Sequence, residues 1–345
     1  MRAMILGSLA LLSAVTTASP LAKRTSRTSP PSGCLVVESG TTTSGYYTTL
    51  GAAVDALSGT DDACIFIYSG TYTLTEQVRI DYGGALTLYG YTTNTGTYKE
   101  NVVTIEWSKT SSAAGSLDAS GALNVVSDNF NMYNINVKNT YGSGSQAVAL
   151  VANGNQQGYY GCGFYGYQDT LYAKSGYQYY SNCYIEGEHI LDWGAFISGS
   201  NMLQGAVDYI FGDASAWFGE CTIASNGGGA VTANSRQEST DTSWYVIDHS
   251  VVEAASGYSL DEKVYLGRPW RALARVIYQY TSLSDAINPT GWTTLYDGAT
   301  PIFEEYENTG DGSSTSDRDY ETTATAAVTK SQLWPDGYSW IDTSY

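Results

Sequence analysis

The chain has 345 residues, with 34 acidic against 16 basic side chains and a formal net charge of −18. So acidic a surface excludes nucleic acid and anionic membranes as natural partners, because the phosphate-driven part of such binding needs a basic surface. It also disfavours a densely charged polyanion and leaves room for a neutral or partly neutralised ligand, with an acidic medium easing the protein's self-repulsion.

From the N-terminus, Arg2, the apolar run Met4 to Val15 and the small residues Thr16-Thr17-Ala18 read as a secretory signal peptide over residues 1–18. The run is too short to span a bilayer, and no later segment approaches the roughly 18 apolar residues a transmembrane helix needs. Residues 19–30 read as a leader, in which Lys23-Arg24 is either a dibasic processing site or simply a basic stretch. The protein is expected to be secreted and extracellular, with its working domain over residues 31–345. Cys34 and Cys64 precede the apolar runs Leu35-Val36-Val37 and Ile65-Phe66-Ile67, which read as early strands, and the two cysteines are candidates for a disulfide. A helical pattern near Leu50 to Leu57 is suited to capping the N-terminal end.

Short β-branched and aromatic runs then recur between turn residues, including 103–105, 123–126, 134–137, 148–150, 184–185, 209–211, 231–233, 245–247 and 276–278. Cys162 and Cys183 are 21 residues apart. Cys183 and Cys221 are 38 apart, which becomes 20 when residues 188–205 are set aside. The same excision equalises two further offsets: Asp169 follows Cys162 by 7, and Asp208 follows Cys183 by 25 − 18 = 7. A repeat of this length and composition predicts an all-β solenoid in which each repeat is one coil. Residues at equal offsets then become lateral neighbours about 4.8 Å apart, so Asp169 and Asp208 face one another. The alternative is a pair of unrelated turn aspartates. The three cysteines are expected as an inward stack. Residues 305–319, polar and Gly/Ser-rich, read as an extended loop, and Leu333, Trp334, Trp340 and Ile341 as a tail packed on the coils.

With only His189 and His249 available and no Gly-x-Ser-x-Gly elbow, a Ser-His-Asp mechanism has no residues to use. The cysteine and histidine spacings resemble no zinc site, so neither metal nor cofactor is expected. Carboxylates are left as nucleophile and general acid. Two of them one strand apart cannot both ionise easily, so one should hold a proton while a cation keeps the other charged. Arg268, in Leu266-Gly267-Arg268-Pro269-Trp270, offers a bidentate fork for that task, and Trp270 is suited to stacking on a sugar ring. A structural Arg with a core Trp is the plainer reading of that motif.

Four blocks in order and spacing resemble the signature blocks of pectin methylesterases: Gln146-Ala147-Val148-Ala149-Leu150, Gln168-Asp169-Thr170-Leu171-Tyr172, Asp208-Tyr209-Ile210-Phe211-Gly212 and Leu266-Gly267-Arg268-Pro269-Trp270. A fifth, Gly70-Thr71-Tyr72, departs from the pattern because Glu76 comes two residues late. The resemblance covers nearly the whole mature chain and is strongest to secreted fungal members. It implies a right-handed single-stranded parallel β-helix and hydrolysis of the methyl esters of homogalacturonan through a covalent acyl-enzyme. On it, Asp208 is the nucleophile, Asp169 the general acid and base, Gln146 and Gln168 the oxyanion donors, and Arg268 the group that orients Asp208. Arg268, Trp270, Phe211 and Gln146 are the substrate contacts, and Tyr159, Tyr160, Tyr165, Tyr167 and Tyr172 are expected near the cleft. The expected partner is methyl-esterified pectin, and a monomer is expected. A lyase or polygalacturonase on the same fold, or a binding module with a decayed site, are the competing functions.

Residues 188–205 interrupt this pattern, because Gly187 joined to Ala206 matches it without a gap. Their 18 × 3 = 54 coding nucleotides keep the reading frame. Gly187-Glu188, Ser200-Asn201 and Leu203-Gln204 can be encoded by splice-like GTGAG, CTAAC and CAG. The segment reads as a translated intron, with a functional loop as the competing reading, and if present it should be extruded while Asp208 stays beside Asp169.

Overall fold

The computed structural model describes residues 25–187, 208–295 and 297–345. The signal peptide, Lys23-Arg24, His189 and the segment 188–205 lie outside the described residues. Every strand pairing between named strands is parallel, and the strands stack into sheets of twelve, eight and seven. Each full coil gives one strand to each sheet: Gln157–Tyr160, Gly163–Tyr165 and Leu171–Ser175, then Tyr177–Ser181 one layer on. This is the right-handed parallel β-helix, the hand that parallel crossovers adopt.

The coils turn sharply between the first and second sheets through a single left-handed residue. Asn134, Gly161, Asn182, Glu220, His249 and Tyr280 occupy this place in successive coils, with φ between 46° and 57°. Asn and Gly tolerate that conformation at least cost, which is why the run 134–137 begins its strand at Asn136 and not at Asn134. The interior is a dry stack of like on like. Tyr159, Tyr180 and Phe218 lie face to face at 4.8 and 4.7 Å, each pair adding about 0.5–1.5 kcal/mol beyond area burial. Cys162, Cys183 and Cys221 form the expected buried ladder, and Ser250 and Thr281 continue it.

The disulfide Cys34–Cys64 closes the first coils, since Leu35 pairs with Ile65 and brings the preceding cysteines side by side. Helix Leu50–Asp55, capped by Thr49, buries Leu50 and Ala53 over the N-terminal end. Arg27, in the stretch read as leader, is pinned on the solenoid: its backbone pairs with Thr92 and its guanidinium donates to Asn134 Oδ1 at 2.5 Å. The reading of 305–319 as loop is corrected at its start. Glu305 lies within strand Ile302–Tyr306 and forms a buried ion pair with Arg318. At the C-terminus, Leu333, Trp334 and Ile341 bury against Trp217, Trp244 and Ile277 on the first sheet, with Trp340 packed beside them.

Candidate active site

Asp169 and Asp208 come together by register. Leu171 pairs with Ile210 and Tyr172 with Phe211, so the residues two positions earlier in each coil face one another across one strand spacing. Both aspartates are also turn residues, with left-handed φ of 65° and 62°, so the plainer reading is true of their backbone and incomplete for their side chains. The amide of Asp208 donates to the Ala230 carbonyl at 2.8 Å, and that of Leu171 to the Tyr209 carbonyl at 2.9 Å, which fixes both corners.

Arg268 leaves the end of strand Val264–Gly267 and grips Asp208 with both arms of its fork, Nε to Oδ1 and Nη2 to Oδ2, each 2.9 Å. The approach depends on Gly267. A Cβ there would fall 2.2 Å from Thr232 Oγ1 and 3.1 Å from the Trp292 ring, so any larger residue would push the strand end, and Arg268 with it, off the neighbouring coil.

The two carboxyls differ in what surrounds them. Asp169 is 3% exposed, and burial first, then the nearby Asp208 charge, push its carboxyl well above the ordinary range, with Gln146 and Arg268 only partly opposing. Burial raises Asp208 as well, against the hydrogen bonds and charge of Arg268. Arg268 therefore moderates a raised carboxyl instead of simply holding Asp208 in its ordinary charged state. Of the two, Asp169 is pushed up the further. The Gln146 side chain hydrogen-bonds Asp169 and accepts from Ser111 Oγ at 3.4 Å. Gln168, half-buried, precedes Asp169, and its carbonyl accepts from the Ala147 amide at 3.0 Å.

Beside this pair, on the outer face of the third sheet, lies an aromatic platform. Tyr172 stacks on Phe211 at 4.4 Å, and Trp270 meets Phe211 edge-on at 5.7 Å. Val148, Val151, Ala233 and Leu117 complete it. Of the five tyrosines expected at the cleft, only Tyr172 belongs to this platform. Tyr159 is a core residue, and Tyr160 lies on the far sheet under the C-terminal tail, where its hydroxyl accepts from the Asp342 amide. Tyr165 packs at a tilt against Tyr184 on the second sheet, and Tyr167 is buried. For Tyr159, Tyr160 and Tyr165 nearness in sequence misled, because each coil sends successive residues to three different faces. Tyr72 is a support for the first coils, donating to the Tyr68 carbonyl at 2.9 Å, and Glu76 is exposed near that end. His249 is an exposed turn residue beside Asp248, away from this cluster. The short helix Leu117–Ser120 over the platform escaped the sequence reading, since four residues carry no 3.6-residue period.

Two carboxyls in unequal surroundings, both next to an aromatic floor, are an arrangement suited to attack on an acyl carbon with protonation of the leaving group. The family profile described as Pectinesterase matches residues 35–200 and 198–333. Over 99% of its length the chain is 59% identical to the probable pectinesterase A of Aspergillus niger, 98% of which is covered. It is 56% identical to pectinesterase A of Emericella nidulans, over 94% of this chain and 93% of that one. Among solved structures, the deglycosylated pectin methylesterase of Aspergillus niger shares 60% identity and a TM-score of 0.84, covering 93% of this chain and all of that one. The carrot pectin methylesterase shares 28% identity and a TM-score of 0.71, over 87% of this chain and 90% of that one.

Proposed function

We propose how this chain, which belongs to the pectinesterase family, carries out ester hydrolysis: Asp208 attacks, Asp169 handles the protons, and the substrate is methyl-esterified pectin. A carboxylate oxygen of Asp208 adds to the C6 carbonyl of a methylated galacturonate. The negative charge that gathers on the carbonyl oxygen is met by the side-chain amides of Gln146 and Gln168, a role in which one lost donor typically costs about 10²-fold or more in rate. Gln146 turns from Asp169 to do this. The intermediate collapses as Asp169 gives its proton to the departing methoxide, leaving an acyl-enzyme anhydride on Asp208 and free methanol. Asp169, now charged, takes a proton from water, whose oxygen attacks the acyl carbon and releases the product carboxylate from Asp208. Trp270 and Phe211 hold the sugar, and Arg268 keeps the Asp208 carboxylate aimed and bounds the site.

The observation that carries this reading is the pairing of unequal carboxyls: Asp169 buried beside Asp208, with only Asp208 held in a bidentate fork. The −18 charge favours the neutral methylated substrate over the anionic product. The disulfide fits an extracellular setting, and no helix among the described residues is long and apolar enough to cross a membrane; we take the enzyme to be a secreted monomer. Asp208→Ala should abolish methanol release from methylated pectin, and Asp169→Ala should remove nearly as much, each by about 10⁴-fold or more, because the two act as one unit. Substantial methanol from either folded variant sinks the assignment, and ultraviolet-absorbing unsaturated products would point to a lyase.

A further inference from the structure

The aromatic platform has a charged edge that the ester chemistry leaves unused. Tyr172 and Lys174 point outward together along strand Leu171–Ser175. The Lys174 ammonium lies 5.7 Å from the Tyr172 ring centroid and pairs with Asp118, both side chains about a third exposed. Asp118 is delivered there by helix Leu117–Ser120, whose Leu117 joins the cluster that holds Tyr172, Phe211 and Trp270. The Asp118 carbonyl is anchored by Gln77 Nε2 at 2.6 Å. Asp118 and Asp213 both bear on Tyr172, so Lys174 is a cation set among acids at the platform's edge. It comes five residues after Asp169, at most about 18 Å along the chain. That keeps it within reach of a sugar unit flanking the reacting ester.

We propose that Lys174 and Asp118 together read whether a uronate unit flanking the reacting ester is free or methylated. This rests on the pectinesterase reading of the site. An ion pair whose side chains are about a third exposed is weak, so a free galacturonate carboxylate can take the place of Asp118 on the Lys174 ammonium. A methyl ester carries no charge and leaves the pair closed. Asp118 opposes the exchange by repelling the incoming carboxylate, so the two residues act in opposite directions on one preference. Segments already partly de-esterified thereby dock with their free carboxylate at Lys174, which sets the register of the next ester at Asp208.

The test compares kcat/KM for methanol release on fully methylated and on half-methylated oligogalacturonides, for the wild type, Lys174→Met and Asp118→Asn. Lys174→Met should lower the half-methylated to fully methylated ratio by about three- to fivefold at low salt, and Asp118→Asn should raise it by a similar factor. Both shifts should shrink at 0.5 M salt, where exposed charges are screened. Ratios equal to that of the wild type in both folded variants, or equal losses on both substrates, overturn the inference. Should Lys174→Met not fold, Asp118→Asn alone decides by the direction of its shift. A wild type that releases no methanol from either oligomer overturns the functional reading itself.

Discussion

At the scale of single residues, the site works by giving two chemically identical side chains different surroundings. Asp169 is enclosed and sees the Asp208 charge, while Asp208 is enclosed and bound by a fork that favours its charged form. The rate should therefore follow a bell: activity appears as pH rises and the pair loses its first proton, from Asp208, and disappears as Asp169 loses the second. Arg268→Lys keeps a positive charge but loses the planar fork. Because Arg268 lowers the Asp208 carboxyl, its replacement should let that carboxyl rise further, moving the acid limb of the rate–pH profile to higher pH and reducing kcat by about 10- to 100-fold. An unchanged profile with an unchanged maximal rate would show that Arg268 is not the charge partner. Equal cysteine offsets and the four motif blocks made Asp169, Asp208 and Arg268 legible in the sequence. Lys174 and Asp118 were not, because their pairing depends on a corner helix without sequence periodicity.

At the scale of elements, the corner between the second and third sheets carries the irregularity of the fold. From Tyr165 to Leu171 it spans 6 positions, and from their lateral partners Glu186 to Ile210 it spans 24, a difference of 18. Other coils spend 17 positions here, from Glu106 to Leu123, and 12, from Lys138 to Leu150, so the corner tolerates excursions. Yet the two ends of the long one already touch: a Cβ on Gly187 would lie 2.4 Å from Tyr209 Cβ. Ala206 and Val207 alone, with about 10 Å of reach between Gly187 and Asp208, suffice to close the coil. The two stretches matched by the family profile also meet at residues 198–200, inside the segment. Mature transcripts are expected to lack the 54 nucleotides for residues 188–205, and a chain without those residues should fold and release methanol. Messages that uniformly retain them, with an active protein containing the segment, refute the intron reading.

At the scale of the whole molecule, the C-terminal coils support the site from behind. The side chains of Glu305 and Arg318, 2% and 1% exposed, are joined at 2.7 and 3.1 Å, and Glu305 also accepts from Trp292 Nε1 at 3.1 Å. The Trp292 ring in turn backs Gly267 next to Arg268. Arg318→Ala would strand a buried carboxylate and should destabilise the protein by about 3–5 kcal/mol in denaturant unfolding; a loss under 1 kcal/mol would mean that water reaches Glu305. The chain's own pattern determined the solenoid, its coil period, the inward cysteines, the Cys34–Cys64 candidates and the central aspartates, because a repeat forces equal offsets into lateral contact and the period is written in one dimension. Tertiary structure alone decided which tyrosines line the cleft and that Glu305 is buried against Arg318. It also decided that burial raises both Asp169 and Asp208 and that a corner helix sets Asp118 against Lys174. These depend on which of three faces a residue meets and on what covers it, and a one-dimensional period carries no record of either.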